Sequence, residues 1–202
     1  MRLIIFLVAM LFIIGCNNKT TEVELIDSTD YVNEIITEDS SVLLTKGVQD
    51  WVGSILKKPV SPAITFEEFW KDETLIETPF TAENDFYKNY SSLLRWSPDS
   101  NYILDIGTYG TVLTTDAYGN PGIESGEPDS ELALIEPGKN TRTRLMFVGP
   151  SSEILDAKWV DNKKAIVVGT FDTTGNKTYD TLVWVINVKD KIFRLYNVKI
   201  HR

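Results

Sequence analysis

Arg95-Trp96-Ser97-Pro98-Asp99-Ser100-Asn101-Tyr102-Ile103-Leu104-Asp105-Ile106-Gly107-Thr108-Tyr109 aligns with Lys158-Trp159-Val160-Asp161-Asn162-Lys163-Lys164-Ala165-Ile166-Val167-Val168-Gly169-Thr170-Phe171, one residue being deleted near Pro98. Each copy reads as a basic residue and a tryptophan, an Asp-led turn, an apolar strand, then aliphatic-Gly-Thr-aromatic. Self-similarity of this kind marks a repeated supersecondary unit. A further pair of strands follows each copy: 131–135 and 143–148 around the turn 137–140, then 181–187 and 192–196 around the turn 189–191. Short runs rich in β-branched and aromatic residues, bounded by turn residues, predict antiparallel strands. Residues 91–202 are therefore expected to form a β domain of two units. Trp96 and Trp159 should each close the first strand of a unit and pack on the next strand. Ile103 or Leu104 supplies that wall in the first unit, and Ala165 or Ile166 in the second.

Trp96-Ser97-Pro98-Asp99-Ser100-Asn101-Tyr102-Ile103 resembles the W-S-P-D-G-K-x-I/L signature of TolB-type and related β-propeller blades. The resemblance extends over about residues 91–200. It implies that the tryptophan ends the first strand of a blade, that Pro-Asp-Gly turns the chain, and that the second strand follows. The physical reasons transfer, since Pro98 presets the turn dihedral and Asp99 can bond nearby amides. Ser100 stands where the family has Gly, and Val160 replaces Ser-Pro in the second copy. Propellers close with about 4–8 blades, and this chain offers two. The expected fold is thus α+β, mainly β: short N-terminal helices followed by two antiparallel propeller-blade-like units, not a closed propeller. Either the units pack on each other, or the helical part caps the face that a missing blade would cover.

Residues 40–90 read as helical and irregular. Leu44, Val48, Trp51, Val52, Ile55 and Leu56 recur at steps of three and four, one apolar stripe on a helix. Ser40 or Ser41 is its expected N-cap, Lys57 and Lys58 close its last turn, and Pro59 ends it. Thr65-Phe66-Glu67-Glu68 has the form of a capping box and predicts a short helix through Trp70. Trp51, Phe66, Phe69 and Trp70 sit at helical spacing, which favours a core stripe over a ligand-stacking surface. Residues 75–90, with Pro79, read as irregular.

At the N-terminus Arg2 precedes twelve uninterrupted apolar residues, 3–14. This is the n-region and h-region of a secretory signal, and it is shorter than the roughly 20 residues of a membrane-crossing helix. Ile13-Ile14-Gly15-Cys16 resembles the lipobox of bacterial lipoproteins. The resemblance implies cleavage before Cys16 and attachment of diacylglycerol and acyl groups to that residue. Residues 1–15 are then a signal peptide, and 16–39 are the lipidated cysteine and an acidic tether. Val23-Leu25-Ile26 and Val32-Ile35-Ile36 either belong to the tether or dock on the domain as strands. Cys16 is the only cysteine, so the domain has no intramolecular disulfide, and lipidation would consume an otherwise exposed thiol. One acyl chain anchors marginally, whereas two or three hold stably in a bilayer. Asn17, where some retained inner-membrane lipoproteins carry Asp, favours the outer membrane by the same resemblance. Which face of the membrane the domain occupies stays open, as does its oligomeric state.

The formal net charge is −9, with 20 basic and 29 acidic residues. Losing the leader removes Arg2 and leaves −10. Such a surface disfavours nucleic acid. His201 is the only histidine, so a Ser-His-Asp triad has no internal imidazole, and Cys16 is committed to lipid. Phosphate-binding and dinucleotide-binding glycine motifs are absent, as is Cys/His metal spacing; no cofactor and no metal are expected. Glu67 and Glu68 could serve as a glycosidase pair, but on a helix neighbours point to different faces. The stretch 115–130 is long for a hairpin connection. It carries Asp116, Tyr118, Asn120, Glu124, Glu127 and Asp129 and lacks the order of an EF-hand. It reads as a partner-binding loop or a plain solvated one. Residues 172–180 form the matching tip, with Gly175-Asn176 as its turn pair. The expected function is that of a non-enzymatic, membrane-anchored envelope lipoprotein, a binding or interaction module whose partner could be another envelope protein. The alternatives are a carbohydrate-handling or hydrolase accessory protein and a purely structural or inhibitory lipoprotein.

Overall fold

The computed structural model describes residues 28–58, 60–119, 121–172, 175 and 179–200. The leader, Cys16, Asn120 and His201 lie outside the described residues, as do 17–27 of the tether and 173, 174 and 176–178 of the second tip. In chain order come helices α1 (Ser28–Leu43) and α2 (Lys46–Leu56), then strands β1 (Val60–Lys71) and β2 (Glu77–Pro79). A short helix α3 (Phe86–Asn89) and a 3-10 turn (Ser91–Leu93) lead into the repeat. Its first unit is β3 (Leu94–Trp96), β4 (Ile103–Asp105), β7 (Ser130–Glu136) and β8 (Thr141–Val148), interrupted by a separate hairpin of β5 (Thr111–Thr115) and β6 (Pro121–Ser125). The second unit is β9 (Ser152–Trp159), β10 (Lys164–Phe171), β11 (Asp180–Asn187) and β12 (Ile192–Ile200).

The chain is mainly β, and each unit is a four-stranded antiparallel meander. A strand from upstream joins the outer edge of each. β2 pairs with β8 to give the order β2-β8-β7-β4-β3, and β1 pairs with β12 to give β1-β12-β11-β10-β9. Neither sheet closes into a barrel or propeller. The two sheets face each other across a core of Leu104, Leu132, Leu134 and Leu145 from the first and Ala157, Val167, Trp184, Ile186 and Phe193 from the second. On the opposite face of the second sheet, Ile166, Val168, Val183, Val185, Tyr196 and Val198 pack under Leu43, Val48 and Val52 of the two helices. Ile103 and Ile135, on the outer side of the first sheet, lie under Phe80, Phe86, Tyr87 and Tyr90. The two units thus pack on each other, and α1 and α2 cover the other face of the second sheet.

The repeat is built on two Asp-led turns. In the first, the Ser97 hydroxyl donates to Asp99 Oδ1 at 2.7 Å and accepts the Tyr102 N–H at 3.0 Å. That hydroxyl bond holds the Asp99 carboxyl below the usual carboxylate range. In the second, Asp161 Oδ1 accepts the N–H groups of Lys163 and Lys164, both at 2.7 Å. Ser100 has φ +60, a left-handed conformation that favours glycine. The serine holds this conformation under strain. A non-glycine residue in this region costs about 1–2 kcal/mol, and glycine's greater unfolded freedom takes back about 0.5–1 kcal/mol. Ser100→Gly should therefore stabilise the protein by about 0.5 kcal/mol in a urea melt; a loss of stability would show that the serine makes a contact worth more than its strain.

Local expectations change: residues 75–90, read as irregular, hold β2 and α3, and the stretch 115–130, read as a loop, holds β6. Residues 65–70 form part of strand β1, not a helix. The register slips between Phe66 and Glu68, and one extra residue in a strand turns a two-residue alternation into a three-residue step. Phe66 contacts Tyr196 edge-on at 5.6 Å on the helix-covered face, and Trp70 stacks on Phe193 at 5.1 Å in the inter-sheet core. Ser40 and Ser41 lie inside α1, and the N-cap position of α2 is Thr45. Helix α1 also begins within the stretch read as tether, and it docks through buried Ile35 and Asp39 rather than as a strand. Lys57 does end α2, in a left-handed conformation that lets the Lys58 N–H reach Gly53 O.

Candidate functional site

The inter-sheet core does not run the full length of the second sheet. Beyond the end of β8 the inner face of β10–β12 opens into a cleft of about 660 Å³. Cross-strand pairing sets its floor. Trp184 lies opposite Leu195, which lies opposite Glu68; Leu182 lies opposite Asn197 and Gly169; Asp180 lies opposite Phe171, and Phe171 opposite Ser152. Met146, Phe147 and Val148 form the wall. Gly169 keeps the floor low: a Cβ there would stand 2.8 Å from the Trp184 ring and 2.6 Å from Glu153 O. This close approach is the physical reason for glycine at the aliphatic-Gly-Thr step of the second copy.

The rim is polar on one side. Glu67 and Glu68 come from the bulge in β1, and both line the cleft. The helix-based objection to the pair lapses here, because a bulge brings neighbours to one side where a helix would separate them. The opposite rim carries the half-exposed rings of Phe147 and Phe171. Phe147 is braced from behind. Tyr109 meets it edge-on at 5.5 Å, and the Arg144 guanidinium lies 5.0 Å from its ring centre. Arg144 Nε in turn bonds Glu131 Oε2 at 2.5 Å, Glu131 also pairs with Arg142, and Arg142 reaches Asp105 at 3.0 Å. Asp105 and Glu131 are fully buried. Burial works against the Arg142 charge, but these two carboxylates outweigh it and raise its pKa further. Asp105 also accepts from the N–H groups of Gly107 and Thr108 and from the Thr108 hydroxyl. These bonds end β4 early and send the chain into the β5–β6 hairpin.

The residues singled out in the sequence sit on that hairpin. Asp116 and Tyr118 are at its tip, where the Tyr118 N–H bonds Asp116 Oδ1 at 2.8 Å and the Tyr118 side chain is 91% exposed. Glu124 is on β6, and Glu127 and Asp129 follow it toward β7. Five paired rows separate tip from base, about 16 Å at ~3.3 Å per residue, so the five described ones are spread along an arm. Among the described residues no group of His, Cys, Asp and Glu is placed to hold a metal ion. The cleft was not legible in the sequence, because its residues come from six strands between Glu67 and Asn197. Its one local trace is the bulge hidden in Phe66-Glu67-Glu68-Phe69. No family model, no curated protein and no solved structure matches the chain.

Proposed function

We propose that the chain is a lipid-anchored envelope protein of a bacterium that acts as a non-enzymatic binding module, with its ligand seated in the cleft between the sheets. The observation that carries the binding half is the cleft itself. Its volume of about 660 Å³ falls in the ~300–1,000 Å³ range of small-molecule sites, which combine an apolar floor with a few polar groups. The anchoring half rests on Arg2, the apolar run 3–14 and the lipobox-like Ile13-Ile14-Gly15-Cys16. Eleven residues lie between Cys16 and Ser28, enough chain to hold the domain up to about 40 Å from the lipid at ~3.5 Å per residue. By the Asn17 resemblance the anchor is in the outer membrane. Among the described residues no helix is long and apolar enough to cross a membrane.

Two measurements test this. Cys16→Ser should abolish incorporation of a fatty-acid analogue, and label retained on the serine variant would end the anchoring reading. Nile red, a neutral apolar dye, should bind saturably at one site. Ser152→Trp, which fills the cleft from its rim, should abolish that binding with the far-UV spectrum unchanged. Dye binding that survives the plug would place the ligand elsewhere.

A further inference from the structure

We infer that the cleft selects amphipathic amines: ligands with an apolar chain or ring and a protonated nitrogen. The inference rests on the cleft being a ligand site, as proposed above, and adds the charge of what it takes. Glu67, Glu68 and Asp180 line the cleft, and no lysine or arginine does among the described residues. Glu67 and Glu68 are exposed and make no hydrogen bond or ion pair among the described residues, so a ligand's ammonium group would not displace an existing partner. The cation behind the rim, Arg144, is already paired with Glu131. The four charges of that network, Asp105, Glu131, Arg142 and Arg144, sum to zero. The chain as a whole is acidic, at −9, and a field of one sign raises the local concentration of the opposite ion.

The geometry orders the ligand. Leu182, Trp184 and Leu195 form an apolar floor, and Glu68 stands at its edge, opposite Leu195 in the pairing register. A chain lying on the floor thus brings its head to the carboxylates. Phe147 and Phe171 flank the mouth; the Phe147 ring already holds the Arg144 guanidinium, and the Phe171 ring offers a face that attracts a cation within about 6 Å. An anionic amphiphile of the same length meets the same floor and the opposite sign at the rim. A neutral one meets the floor alone. Pairing with the two glutamates should give the amine about a tenfold advantage over the neutral analogue, about 1.4 kcal/mol.

The test uses the full chain with decylamine, decanol and decanoate, each below its micelle concentration at pH 7, displacing Nile red. Decylamine should bind about tenfold tighter than decanol, and decanoate weaker than both. Glu67→Gln combined with Glu68→Gln should bring decylamine close to decanol while leaving decanol unchanged, and 0.5 M salt should narrow the gap in the wild type. Equal binding of all three probes would overturn the charge selection and leave the cleft a plain apolar site. An amine preference that persists in the double Gln variant would also overturn it, since the cation would then be recognised elsewhere. Failure of Nile red and all three probes to bind would instead remove the binding reading on which the inference rests.

Discussion

Asp39→Ala is expected to destabilise the protein by about 3–5 kcal/mol, because it leaves a buried guanidinium without its counter-charge. Asp39 projects from α1 and is 1% exposed. Its Oδ2 lies 2.6 Å from Arg194 Nε, its Oδ1 accepts from Arg194 Nη2 at 3.0 Å, and the Tyr196 hydroxyl donates to Oδ2 at 2.6 Å. Burial, followed by this bond to Asp39, pushes the Tyr196 phenol well above its ordinary range, so the donor keeps its proton at any working pH. Both partners sit on β12, so the carboxylate ties helix to sheet. The loss would be a large share of a stability of about 5–15 kcal/mol. Lys46→Ala is the control, since the Lys46–Asp50 pair is exposed and such substitutions stay within about 0.5 kcal/mol. Removing both charges together, as Asp39→Leu with Arg194→Met, should recover much of the loss, because apolar replacement of a whole buried pair is often close to neutral. Urea melts of the four proteins decide. An Asp39→Ala protein that melts within 1 kcal/mol of wild type would mean that α1 is not held on the sheet by this residue.

The same helix shows where sequence reading stops. Asp39 is one of seven acidic residues in the stretch 17–39 and reads as one more tether charge. Nothing local marks it as different from Asp30 or Glu34. Its partners are more than 150 positions away, and burial of a carboxylate is a property of the pair. The repeat was legible for the opposite reason. An Asp-led turn between two short apolar strands is fixed by neighbours, and it recurs as read at Trp96–Ile103 and Trp159–Ala165. The strands joining the outer edges, β1 and β2, gave weaker signals. β2 is three exposed residues held by pairing with β8. β1 carried a helix signal only because its bulge spaced Phe66, Phe69 and Trp70 as a helix would. The stretch 115–130, which holds β6, reads as a loop because Gly122 and the carboxylates around it dilute its alternation. Its turn at Asp116–Gly119 was nevertheless visible from composition.

The last prediction separates the two tryptophans. Equivalent places in the repeat imply equal roles for the two and equal losses on truncation. The backbone agrees: Trp96 ends β3 and pairs with Ile103, and Trp159 ends β9 and pairs with Ala165. The surroundings do not. Trp96 is 44% exposed and touches Tyr87 at 5.5 Å, outside the inter-sheet core. Trp159 is half-buried against that core, stacks near Tyr102 at 6.3 Å, and donates its indole N–H to Arg95 O at 2.7 Å. That bond joins the first strand of one unit to the first strand of the other. The same seam holds Arg95 on Asp156 at 2.7 Å, and the Trp51 indole reaches Asp156 at 3.2 Å. The asymmetry follows from position, since β9 has the first unit beside it and β3 is the free edge of its sheet. Truncating a large buried aromatic costs about 3–5 kcal/mol. Trp159→Ala should fall near the low end, about 3 kcal/mol, because its ring is partly open and the Arg95 carbonyl loses a donor. Trp96→Ala should cost about 1 kcal/mol or less. Urea melts of the two variants give the difference directly, and equal losses would mean that Trp96 is packed as deeply as its counterpart and that something further covers the outer edge of the first unit.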